Sequence, residues 1–316
     1  MPSSLDRRTF LGASLGTGLT TSLTASTITP ASTAAPTPTV AAAAGNRSNA
    51  DAKFQYRKAC KFGMTRGKTL KDRFQSAKDA GFDGVEMDSP NGLSTAEVIT
   101  AAQEVGIRIP GVVDSVHWQI TLSDPDAAKR EEGRRALETA IRDSHAYGGT
   151  SVLLVPAVCG SVSEEDAWSR SVEEIRKTLP LAADLGIHIL IENVWNRFLY
   201  EHDGPNNQSA EKFAAYLDAI DSPWVGAYFD IGNHQKYGLP AAWIRTLGSR
   251  LVKCDVKDWG VQGGWARIGD GDVDWAAVNQ ALSDIGFTGW VSAEVGGGDT
   301  AYLRTVAERV DRVFSL

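Results

Sequence analysis

One layout recurs along this chain: a run with helical spacing, a glycine, then a short apolar stretch. It reads as "AKDAGFDGVEM", "AQEVGIRIPGV", "AADLGIHILIEN" and "LSDIGFTGWVSAE". Glycine in that place is a helix C-cap signal, because a residue without Cβ reaches positive φ without strain. The apolar runs are short and bounded by Gly, Pro, Asp or Asn, as strands buried on both faces of a parallel sheet are. Eight such runs can be read, at residues 58–64, 83–88, 107–115, 150–157, 187–193, 224–232, 250–258 and 289–296. Between them lie helical patterns such as "LKDRFQSAKDAG", "STAEVITAAQEVG", "SRSVEEIRKTLPLAADLG" and "WAAVNQALSDIG". Eight strand–helix alternations predict an α/β fold: a single-domain (β/α)8 barrel of the TIM type. An open doubly wound sheet would carry a phosphate-binding turn after its first strand, and "KFGMTRGKTL" is not G-x-G-x-x-G.

The barrel pattern occupies residues 45–316, and residues 1–44 differ from it in kind. "DRRTFLGASLGTGLT" sets Arg7 and Arg8 before a modest apolar run, and an Ala/Thr/Ser/Pro-rich stretch follows. That composition offers no periodic apolar face, and it reads as a removable signal peptide and linker. The paired arginines resemble a bacterial twin-arginine export signal, which implies an exported, periplasmic or extracytoplasmic protein. No run is long and apolar enough for a stable membrane span. A formal charge of −7 and the lack of any Lys/Arg-rich run argue against a nucleic-acid partner. The three cysteines, Cys60, Cys159 and Cys254, have no metal-type spacing and read as small buried residues.

In a barrel the chemistry gathers at the carboxyl ends of the strands. Those ends carry Glu86, then His117 with Trp118, then Glu192, Asp230, Asp255 with Lys257, and Glu294. Four consecutive strands therefore end in an acid. Converging carboxylates repel one another strongly in a low-dielectric site, so something positive must compensate. Lys257 and Arg267 supply part of it, and an oxygen-rich set suits a divalent cation such as Mn²⁺ or Mg²⁺. Glu86, His117 and Trp118 are candidate substrate contacts, His117 by a hydrogen bond and Trp118 by stacking. Lys257 and Arg267 are candidates to hold substrate oxygens or a phosphate, unless they pair with Asp258 or Asp270. Trp195, Asn196 and Phe198, in the loop after Glu192, are candidate pocket walls.

Several stretches together resemble the sugar phosphate isomerase/epimerase family, the xylose-isomerase-like TIM barrels. They are "GFDGVEM", "VHWQITLSDPD", "VLLVPAVCG", "IENVWNRFLY", "VGAYFDIGN", "VKDWG" and "IGDGDVDWAAVNQAL". The resemblance implies a metal, most often manganese with Mg²⁺ or Co²⁺ as alternatives, held by Glu192, Asp230, Asp255 and Glu294. It also implies that Glu192 and Glu294 move a proton between adjacent carbons of a carbohydrate through an enediolate. Two departures stand out. Asp255 occupies the place of a family histidine, and Asn233 stands where many relatives have histidine, with His234 one residue later. His234 is then either a substrate contact or a helix cap. The leading expectation is a metal-dependent sugar isomerase or epimerase. Its alternatives are a lyase or hydrolase of 3-keto-glycosides and a carbohydrate-binding barrel that has lost catalysis. A homo-oligomer is compatible with all three.

Overall fold

The computed structural model describes residues 56–315, so the export-signal reading of residues 1–44 lies outside the described residues. Eight parallel strands close into a barrel: β1 (Arg57–Lys61), β2 (Gly84–Ser89), β3 (Val112–Asp114), β4 (Ser151–Leu154), β5 (His188–Glu192), β6 (Val225–Asp230), β7 (Leu251–Val256) and β10 (Trp290–Ala293). Around the barrel each strand pairs with its sequence neighbour, and β10 closes the ring between β7 and β1. Two further strands, β8 (Asp258–Gly260) and β9 (Gly264–Ala266), form an antiparallel hairpin above the end of β7. The apolar run at 250–258 predicts β7 through Asp258. That residue instead begins the hairpin.

The helices are α1 (Leu70–Asp79), α2 (Thr95–Val105), α3 (Ala127–Ala146), α4 (Glu164–Leu185), α5 (Glu211–Ile220), α6 (Pro240–Leu247), α7 (Trp275–Asp284) and α8 (Thr300–Phe314). The repeated glycines behave as their spacing requires: Gly81, Gly106, Gly186 and Gly286 have φ of 100°, 70°, 67° and 68°. At the other end, Thr69 and Asp72 close a reciprocal capping box on α1, and Ser94, Asp126 and Ser163 cap α2, α3 and α4.

The main apolar core lies between the strands and the helices, with Phe74, Ile141, Tyr216, Phe229 and Trp243 among its buried members. Inside the barrel the apolar filling is small: Leu153, Leu190 and Tyr228, packed by Val113 and Val252. One irregularity controls what else points inward. Ala227 pairs with Leu251 but Tyr228 pairs with Lys253, so Val252 is an extra residue in β7. Such a bulge re-aims the side chains after it. Val252 joins the inner apolar cluster, and Lys253 also reaches inside, to Glu86. Asp255 follows on the inward side.

Candidate metal centre at the barrel mouth

Parallel pairing sets Asp230 of β6 directly beside Asp255 of β7. Glu192 closes β5, and Glu294 follows β10, which pairs with β7 on its other side. Each of these four acids therefore presents an oxygen to one mouth, and those oxygens all lie within 4.8 Å of one another. Local structure fixes their aim. Asp230 Oδ1 accepts the backbone N–H groups of Gly232 (2.9 Å) and Asn233 (2.8 Å), which leaves Oδ2 facing the cluster. Asn193 binds β6 on both sides, accepting from Asp230 N at 2.7 Å and donating to Asp230 O at 2.8 Å. Gly232 is needed for close approach, since a Cβ there would lie 2.6 Å from Cβ of Lys257.

Two lysines enter this acidic set. Lys257 Nζ lies 2.8 Å from Asp230 Oδ2 and 2.6 Å from Glu294 Oε2. Lys61, at the end of β1, lies 2.9 Å from Asp255 Oδ1 and 2.7 Å from Glu86 Oε2. The departure at Asp255 thus has its own cation, which comes from the opposite end of the chain. Sequence reasoning missed Lys61, because a strand lysine reads as solvent-facing. Asp255 Oδ2 is buried with no hydrogen-bond partner.

One layer below, Glu86 receives four hydrogen bonds, from Lys61 (2.7 Å), Lys253 (3.0 Å), Tyr228 Oη (2.6 Å) and Ser292 Oγ (3.0 Å). Its side chain is 1% exposed. Expected to contact substrate, Glu86 is instead placed in the barrel interior with its acceptors taken. Lys253 Nζ also donates to Pro110 O at 2.8 Å.

The electrostatics follow from these contacts. Burial opposes ionisation of Glu86, but Lys61 and Lys253 outweigh it and hold the carboxyl far below its usual range. Burial and then the charge of Glu294 push Glu192 well above that range. Burial likewise raises Asp255 well above it, with Lys61 opposing and Glu294, Glu86 and Asp230 adding. Glu294 goes the other way: burial is outweighed by Lys257 and Lys61, and its carboxyl is held low. Three lysines face five acids in the two layers, so the acids outnumber the cations. Four oxygen donors, one of them unpartnered, fit a hard divalent ion and contain no thiolate that would favour a soft one.

The remaining candidates separate. His117 is buried; its Nδ1 accepts from Val155 N at 3.1 Å, which puts the ring proton on Nε2. Burial lowers its pKa to about 3, so the ring is a neutral donor, near enough to feel Glu294 and Lys61. Trp118 stands edge-on to it with 45% exposure. His234 caps no helix. Its Nδ1 lies 2.8 Å from the Asn193 amide, and its ring stacks on Trp243 behind Glu192. Arg267 is on the rim, bound to Asp270 at 3.0 Å. Asp258 is fully buried and anchors the return loop, accepting from Gly269 N (2.8 Å), Val273 N (3.3 Å) and Trp275 Nε1 (3.0 Å). Trp195 packs against Trp259 and Trp265 and donates to Asn233 O, which ties the hairpin to the loop after β5. Asn196 and Phe198 are buried, with Asn196 donating to Ala157 O at 2.8 Å. All three cysteines are free, and Cys60 and Cys254 are buried.

Comparison with known proteins agrees with this architecture. Over 238 residues the chain is 24% identical to L-ribulose-5-phosphate 3-epimerase UlaE of Escherichia coli O157:H7, covering 71% of this chain and 81% of that protein. The 3-keto-D-glucoside 4-epimerase YcjR of E. coli, in its apo form, superposes with a TM-score of 0.68 at 16% identity. That match covers 83% of this chain and all of YcjR. The protein IOLI, with a bound zinc atom, superposes at 0.67 and 15% identity, over 82% of this chain and 98% of its own. The family described as the xylose isomerase-like TIM barrel matches residues 74–311. The chain belongs to that xylose isomerase-like TIM-barrel family.

Proposed function

We propose that this protein is a divalent-metal-dependent sugar epimerase or isomerase that moves a proton on the carbon next to a carbonyl. The observation that carries the reading is the convergence of Glu192, Asp230, Asp255 and Glu294 within 4.8 Å, with Asp255 Oδ2 left unpartnered. The relatives add support, since UlaE and YcjR are both epimerases of sugar derivatives. An all-oxygen ligand set favours Mn²⁺ or Mg²⁺.

Glu192, Asp230, Asp255 and Glu294 would hold a divalent cation, which would supply positive charge at the substrate carbonyl and so acidify the neighbouring C–H. The chain's own residues do the rest. Glu294, held ionised beside Lys257, accepts the proton. Glu192, at the end of β5, is the second acid/base group and returns a proton to the carbon. Delivery by a different carboxyl from the one that took the proton inverts the carbon. The Nε2–H of His117 binds a substrate oxygen, and Trp118 offers an exposed ring to the sugar face.

The test is a panel of sugars in heavy water with Mn²⁺, scored for deuterium at carbon. Glu192→Gln and Glu294→Gln should each lower exchange by at least ~10²-fold, with folding intact. Exchange unchanged in either variant would remove that residue from the mechanism. One contact favours a second reading, a sugar-binding barrel without a metal: Lys257 already lies within 2.8 Å of Asp230 and 2.6 Å of Glu294. A rise in melting temperature with Mn²⁺ decides for the metalloenzyme, because only an ion that binds the native state stabilises it.

A further inference from the structure

A groove of about 410 Å³ begins at Lys257 and Glu294 and runs outward between the β8–β9 hairpin with its following loop and the first half of α8. It is where the acid cluster meets solvent. Glu294 has a side chain that is 36% exposed, whereas those of Asp230 and Asp255 are fully buried. A substrate whose reacting carbon lies beside Glu294, with its sugar against His117 and Trp118, has room for a substituent in this groove.

The lining decides what those atoms are. Trp265 on the hairpin is 52% exposed and Tyr302 on α8 is 42% exposed, one on each wall. Trp265 is held in place, stacked on Trp195 at 5.2 Å and set edge-on to Trp259 at 5.1 Å. Tyr302 leans over the floor, since a Cβ on Gly296 would come within 3.7 Å of its hydroxyl. Ile268, Val295 and Val306 complete an apolar surface. The cations of the groove are all paired. Lys257 is shared by Asp230 and Glu294, and Asp270 holds Arg267 at 3.0 Å and Arg309 at 2.9 Å. Arg309 also donates to Ile268 O at 2.8 Å. An anionic substituent such as a phosphate would have to break these pairs. A ring with an apolar face would not.

We infer that the groove is a subsite for the uncharged, ring-bearing substituent of a glycoside, so that the substrate is a sugar carrying an aglycone or second sugar ring rather than a free sugar phosphate. This rests on the mouth being a sugar site, and the volume is adequate, since small-molecule sites run from roughly 300 to 1,000 Å³. Two aromatic faces suit such a ring, because sugar and aryl rings both stack on them.

Binding and turnover test it separately. Full-length protein without added metal is titrated with phenyl glycosides of common hexoses and pentoses, matched disaccharides, the parent free sugars and their phosphates, following tryptophan fluorescence. At least one glycoside should bind about tenfold more tightly than its parent sugar, and the phosphate no better than that sugar. Phenyl glycosides binding more tightly than disaccharides would identify an aryl aglycone, and the reverse a second sugar. Tyr302→Ala should remove the glycoside's advantage and leave free-sugar binding unchanged, while Tyr302→Phe should keep it. Trp265→Ala should act in the same direction, and Tyr302 covers the case in which the hairpin does not tolerate that change. If no glycoside outbinds its parent sugar, or if the phosphate binds best, the inference is overturned. Turnover of free sugars that ignores Tyr302→Ala, with no preference for glycosides, would overturn the groove but leave the epimerase reading standing. Glycoside binding without deuterium exchange on any substrate would do the opposite.

Discussion

Two ionic layers lie one above the other in this barrel, and they are built on different terms. In the lower layer Glu86 accepts four hydrogen bonds, and Lys253 has Glu86 and Pro110 O as partners. In the upper layer four carboxylates share two lysines, and Asp255 Oδ2 has no partner. Lys61 belongs to both. A buried ion network whose atoms are satisfied needs nothing further, and the barrel holds it as structure. A buried network with an unpartnered carboxyl oxygen is costly unless a ligand completes it. The difference separates Glu86 from the acids above it, although on the sequence all of them are acids at strand ends.

The largest expected effect lies in the lower layer. Lys253→Met removes one of the two cations on Glu86 and leaves a fully buried carboxylate under-compensated. Removing one partner of such a pair typically costs about 3–5 kcal/mol. Urea unfolding should show that loss, while the Mn²⁺ dissociation constant stays within a few-fold of wild type. A large change in metal affinity with little loss of stability would mean that the two layers are one functional unit.

Next come the histidines. His117 and His234 are both lowered to about 3 by burial, although only His117 feels Glu294 and Lys61. A histidine with a depressed folded pKa contributes stability that is complete above its unfolded value, near 6.5. That stability is lost as pH falls toward the folded value, because the unfolded chain takes up the proton first. Between pH 6.5 and 5 each ring should account for about 2 kcal/mol of lost stability, at 1.36 kcal/mol per pH unit. His117→Asn and His234→Asn should each flatten the slope of unfolding free energy against pH by nearly one proton. If only His234→Asn does so, the negative field of the upper layer reaches His117 and holds its proton.

The alternation of helix, glycine and strand made the barrel legible, and the parallel barrel in turn makes every strand end a neighbour of the next. Glu192, Asp230, Asp255 and Glu294 were visible for that reason. What was hidden depends on events inside single strands. Lys253 and Asp255 both face inward because of the extra residue Val252, and a bulge leaves no mark in a run as uniform as "RLVKCDV". Lys61 gave no signal either, since its inward aim is set by Glu86 and Asp255, which are distant in sequence. The hairpin carrying Trp259 and Trp265 lay in "DWGVQGGWA", whose glycines read as loop. Helix α8 was within reach, because "TAYLRTVAERVDRVF" has clear helical periodicity.

A smaller effect tests the upper layer directly. Asp255→Asn keeps the shape and one acceptor but removes an ionisable oxygen that a cation would use. Metal-free protein should melt at the same temperature or higher, because the repulsion falls, while Mn²⁺ affinity should drop about tenfold or more, the scale of losing a metal-site partner. Calorimetry with Mn²⁺ and melting in chelator read the two quantities apart. Loss of stability in chelator would place Asp255 with Glu86, as part of a structural ion network with Lys61. The comparison of layers would then fail.

The smallest effect calibrates the others. Arg267 lies 3.0 Å from Asp270, and Lys253 lies 3.0 Å from Glu86. The distances are equal, but the side chains are 77% and 36% exposed in the first pair and 2% and 1% in the second. Water and salt screen the rim pair, and holding two mobile side chains together costs entropy, so its net contribution is close to nothing. Arg267→Ala should therefore leave the urea midpoint unchanged at both low and high salt, and should leave Mn²⁺ affinity unchanged as well. A clear destabilisation that disappears in high salt would show that the rim pair is coupled to Arg309, which shares Asp270 at 2.9 Å. Depth in the barrel, rather than distance between charges, would then no longer suffice to rank the ion pairs of this protein.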